Sequence, residues 1–142
     1  MNPEERWTHI CALDEELLKG GVILSEWCAL IVREADTAFA AGAHLGAILV
    51  AVAAIETHLR AEESDSGRPR LVDLIDRAMV PSDLKSDLHE LRRYRNRWVH
   101  VDDPWSDQEL LAAPQPTDAE LERMAFFALR TLRRTIYANP WV

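Results

Sequence analysis

Apolar residues recur at steps of three and four along most of the chain, and no stretch alternates apolar with polar positions for long enough to build a sheet. The pattern predicts a first long helix over 22–41, stopped by Gly42, and a second over 43–63. The second carries an apolar stripe at Leu45, Ile48, Leu49, Val52, Ile55 and Leu59. Ser64 to Pro69 reads as a polar loop, and a short helix over 71–79 ends before Pro81. Ser82 or Asp83 is expected to cap the next helix, which runs to His100. Pro104 to Pro116 reads as a crossover, with room for one turn started by Ser106. Thr117 and Glu120 have the spacing of a capping box and open a last helix to about Ala138. Residues 4–18 are a further helical stretch. The expected fold class is all-α: a single domain over 1–142, core about 22–138, with four main helices and short accessory ones.

Composition narrows the function classes. A chain of 142 residues with 48% hydrophobic residues can bury a core without disulfides or a structural metal. The net charge of -8 disfavours a tight, non-specific binder of duplex DNA. Cys11 and Cys28 lie far apart, and His9, His44, His58 and His89 form no ligand pair, so no metal and no cofactor are expected. The acidic N-terminus lacks a signal-peptide pattern, and the uncharged stretch Thr37–Ile55 contains Gly42, His44 and Gly46, a poor membrane span. A cytoplasmic protein with no membrane attachment is the expectation.

The candidate chemistry comes from charges on apolar faces. In the helix 82–100, Leu84, Leu88, Leu91, Trp98 and Val99 share about 100° of arc, and Arg95 falls in the middle of it. Glu56 sits in the apolar stripe of the second helix, four after Val52 and three before Leu59. Two opposite charges on two core faces predict a Glu56–Arg95 ion pair, either specifying the fold or serving a site. Asn96 and His100, four apart, share the flank of that arc, with His89 and Arg92 near it. An imidazole, an amide and guanidiniums on one edge suit a phosphodiester: proton transfer near neutral pH, orientation, and stabilisation of a crowded anionic phosphorus. His100 also has a simpler role, as a cation at the helix C-terminus.

The run Arg95-Asn96-Arg97-Trp98-Val99-His100 resembles the signature of the HEPN superfamily (higher eukaryotes and prokaryotes nucleotide-binding domain): an Arg, a polar residue directly after it, and a His four to six residues on. The stretch from Ala41 to Leu59 is similar to the second, small-residue helix of that superfamily, with Glu56 at its acidic position. The resemblance implies a HEPN-like bundle that forms a homodimer through the motif helices, its two sites sharing one cleft. It also implies a metal-independent endoribonuclease, often a toxin with an antitoxin partner or a defence effector. His100 would then be the acid/base, Arg95 the phosphate group, Asn96 the positioning residue, and Glu56 the support for Arg95. Lys85, Arg92, Arg93 and Arg97 would hold RNA; the helix 82–100 has five basic and three acidic side chains. Val101-Asp102-Asp103 follows His100, where many minimal toxins of the superfamily have a Tyr.

Two other readings stand beside the nuclease. One is a non-catalytic HEPN-like dimeric module that binds a protein, RNA or a nucleotide, with Tyr94, Trp105 and Trp141 as anchors rather than packing residues. The other is a structural helical subunit whose charges form an internal network.

Overall fold

The structure, a computed structural model, describes residues 1–63, 67–105 and 110–138. It is all-α: α1 Pro3–Leu17, α2 Glu26–Ala40, α3 His44–Ala61, α4 Leu71–Arg77, α5 Ser82–Val99 and α6 Pro114–Ile136, with no strand among the described residues. There are thus five long helices and a short one, where four main helices with short accessory ones were expected. The fifth is α1, started by an Asn2–Glu5 capping box that satisfies two otherwise orphaned N–H groups.

α3 lies at the centre, packed most extensively against α6 and α2. Small side chains allow this: Ala47, Ala51 and Ala54 of α3 and Ala125 and Ala128 of α6 are fully buried, so the helices approach closely. By length and composition α3 could cross a membrane, yet Ile48, Val52, Ile55 and Leu59 form the middle of the core. The turn between α2 and α3 forms as the sequence predicts. Gly42 takes φ +86°, and the Ala43 N–H closes back on the Ala38 carbonyl at 2.8 Å, a Schellman ending that needs a left-handed residue.

Other boundaries shift. α6 begins at Pro114 rather than at the Thr117 box, because prolines in a first turn give up only N–H groups that have no intrahelical partner there. α5 starts behind Pro81, and neither Ser82 nor Asp83 caps it. Val99, expected in the core, is exposed; Tyr94 is buried in its place, on the side of α5 that meets α6. The polar loop at 64–66, the turn expected at Ser106 and Trp141 lie outside the described residues.

Candidate functional site

α5 is fastened along its first half and carries the motif on its second. On one flank Lys85 Nζ donates to the Asp76 carbonyl at 2.7 Å, and His89 Nε2 lies 2.8 Å from Asp76 Oδ1, tying α5 to the end of α4. On the other, Arg134 of α6 reaches Asp83 Oδ2 at 2.6 Å and Asp87 Oδ2 at 2.8 Å. The Arg134 hydrogen bond holds the Asp83 carboxyl below its ordinary range. Leu84, Leu88 and Leu91 fill the space between, each stabilising by about 1.5–3 kcal/mol.

The last turns of α5 are different. Arg95 is half-buried and its Nε is shielded from solvent without a hydrogen-bond partner. The predicted pair with Glu56 does not form. Glu56 Oε1 accepts from Arg60 Nη2 at 3.3 Å, one turn along α3, and Arg60 also reaches the Pro69 carbonyl at 2.9 Å. A partner four residues away satisfies the carboxylate at a lower ordering cost than one on another helix. Arg92 Nε and Asn96 Oδ1 are likewise buried and unpartnered, whereas the buried Tyr94 hydroxyl has the Trp98 indole as its neighbour, which pulls its pKa down against the burial that raises it. With His89 Nδ1, four such atoms among the described residues are on α5. His100 ends the helix, exposed, its backbone N–H on the Asn96 carbonyl at 3.0 Å.

Arg92, Arg95, Asn96 and His100 thus share the last turns of α5, and Arg93 and Arg97 are exposed beside them. Arg97 is held by Glu120 at 3.4 Å and lies over the Tyr94 ring at 5.2 Å. Lys85 does not join the group: it sits about 22 Å along the helix axis from His100, committed to α4. The arrangement puts an exposed imidazole at the end of a helix whose last turns carry several guanidiniums, side-chain types that suit an anionic diester.

The buried ion pair that sequence reasoning sought exists elsewhere. Arg133 of α6 is 1% exposed and grips Asp36 of α2 through two bonds, 3.0 and 2.7 Å, while its Nε donates to Asp14 of α1 at 2.9 Å. Tyr137 completes the network, donating to the same Asp14 oxygen at 2.7 Å. Burial alone would lower the Arg133 pKa, but the bonds and charges of Asp36 and then Asp14 raise it well above its ordinary value. Burial, then Asp14, pushes the Tyr137 hydroxyl up. The signal was present in the sequence: Asp36 precedes Phe39 by three and Ala40 by four, and Arg133 follows Leu129 by four and precedes Ile136 by three.

A second polar cluster joins α1, α3 and α6. Glu122 Oε2 lies 3.2 Å from Arg6 Nε and 3.5 Å from Nε2 of the buried His44. Burial lowers the His44 pKa, against the opposing pull of Glu122. No group of three or more His, Cys, Asp or Glu side chains that could hold a metal ion occurs among the described residues. Comparison of the chain with protein-family models, with curated proteins and with solved structures finds no match.

Proposed function

We propose that the protein is a HEPN-like, metal-independent endoribonuclease acting as a homodimer whose motif helices face each other. The observation that carries this reading is the concentration of unpartnered polar atoms on α5, beside an exposed His100. A buried polar atom without a partner costs about 1–3 kcal/mol, so several on one helix mark a surface built for something polar. In this reading His100 takes the proton of a ribose 2′-OH, whose oxygen attacks the adjacent phosphorus. The bond from phosphorus to the 5′-oxygen breaks, leaving a 2′,3′-cyclic phosphate and, once that oxygen is protonated, a 5′-OH. Arg95 and Arg92 stabilise the added charge on phosphorus, Asn96 orients the phosphate, and Arg93 and Arg97 hold the strand. Pairing two copies doubles the local positive charge on an otherwise acidic, cytoplasmic body. A toxin or defence role, with an antitoxin restraining the site, fits this chemistry.

The purified protein is incubated with single-stranded and structured RNA in the presence of a chelator. Cleavage is expected, falling about 100-fold or more in His100→Ala and in Arg95→Ala with the helical circular dichroism retained. Intact RNA with the wild-type protein refutes the nuclease. RNA binding without cutting then supports the non-catalytic module, which the exposed Val99 and Leu111 also favour.

A further inference from the structure

A cavity of about 450 Å³ opens at the His100 end of α5, and the described residues that line it are Arg97, Trp98, Val101, Pro104 and Leu110. Its volume lies within the roughly 300–1,000 Å³ range of small-ligand sites. Among the described residues that line it, four are apolar or aromatic and one is a cation. Val101 and Trp98 flank Val99 and His100 in sequence, so the cavity and the motif share one end of the helix.

We propose that this cavity seats one unstacked guanine base of a single-stranded RNA, and so sets where the strand lies relative to His100. The inference rests on the RNA-directed reading of the motif. An indole and a proline ring give a base flat apolar faces, the means by which single-stranded RNA is gripped without a duplex. Arg97 decides which base. Glu120 on one side and the Tyr94 ring beneath restrain its guanidinium, and it engages Glu120 through Nη1 alone, leaving the other N–H donors for a ligand. A donor-only fork selects an edge with two adjacent acceptors. Guanine offers O6 and N7 together, whereas adenine and cytosine put an amino donor next to the acceptor, and uracil separates its two carbonyls by an N–H.

Binding of the four nucleoside 5′-monophosphates is measured by NMR titration, with the indole N–H signals as reporters and no dependence on cleavage. Guanosine monophosphate is expected to bind about tenfold tighter than the other three. Val101→Trp, which fills the cavity from an exposed position, and Arg97→Gln are each expected to abolish that preference. Equal affinity for all four nucleotides, or a guanosine preference unchanged in both variants, overturns the guanine seat. If RNA is cut while guanosine monophosphate shows no preference, the seat alone falls. If guanosine monophosphate binds through Val101 and Arg97 while RNA stays intact, the seat stands and the nuclease falls.

Discussion

Replacing Arg133 by Met tests how far one buried cation holds three helices together. The guanidinium is 1% exposed and bonds Asp36 twice and Asp14 once. Met keeps much of the volume and removes the charge. Asp14, whose side chain is 44% exposed, can turn to water; Asp36, 10% exposed, cannot. The cost is therefore set by one stranded carboxylate, about 3–5 kcal/mol. Total stability for a domain is about 5–15 kcal/mol, so a large share is lost, and the melting temperature falls by about 10–15 °C. Urea denaturation followed by circular dichroism reads the change. The double variant Arg133→Met with Asp36→Leu removes both charges, and about 1–2 kcal/mol or less should separate it from wild type. A single variant that loses under about 1 kcal/mol, or a double no better than the single, would refute the reasoning.

Acid should weaken the protein through His44. Its folded pKa lies below its ordinary 6.5, so the unfolded chain binds the proton more readily; the contribution is complete above 6.5 and lost as pH falls through the folded value. Urea midpoints measured on acidification should fall less steeply in His44→Gln than in wild type, and equal slopes would contradict this. Glu56→Ala should change stability by less than about 0.5 kcal/mol, since its partner Arg60 is a half-exposed neighbour on the same helix. A loss of several kcal/mol in the same denaturation assay would mean that Glu56 compensates a buried charge after all.

Periodicity told which faces turn inward, and α3 and the Gly42 turn were legible on that basis. It could not tell which inward charges meet. Glu56–Arg95 and Asp36–Arg133 pass the same helical-wheel test, because both ask only for the angular position of a residue on its own helix. Which pair forms depends on the order in which helices pack, and that is set by small buried residues such as Ala51 of α3 and Ala128 of α6, whose complementarity no single helix displays. Local satisfaction also competes: Arg60 lies four residues from Glu56, while no basic residue stands three or four from Asp36 except Arg33, which turns to Glu34. Periodicity placed Arg95, Asn96 and His100 on the last turns of α5, where they stand; the cavity beside Arg97 and Trp98 was not legible, because Val101, Pro104 and Leu110, which also line it, belong to no helix.

The first helix is attached in a manner unlike the rest. Only Ile10 and Leu13 of α1 are buried, yet Arg6, Asp14 and Glu16 each clasp a side chain of α6 across the chain's full length. The clasp of Glu16 on Arg130 sits at the water's edge, where dissolved ions dampen attraction over roughly 8–10 Å. Brine should therefore slacken the join between the beginning and the end of the polypeptide while leaving the alanine-lined seam of α3 and α6 as tight as before.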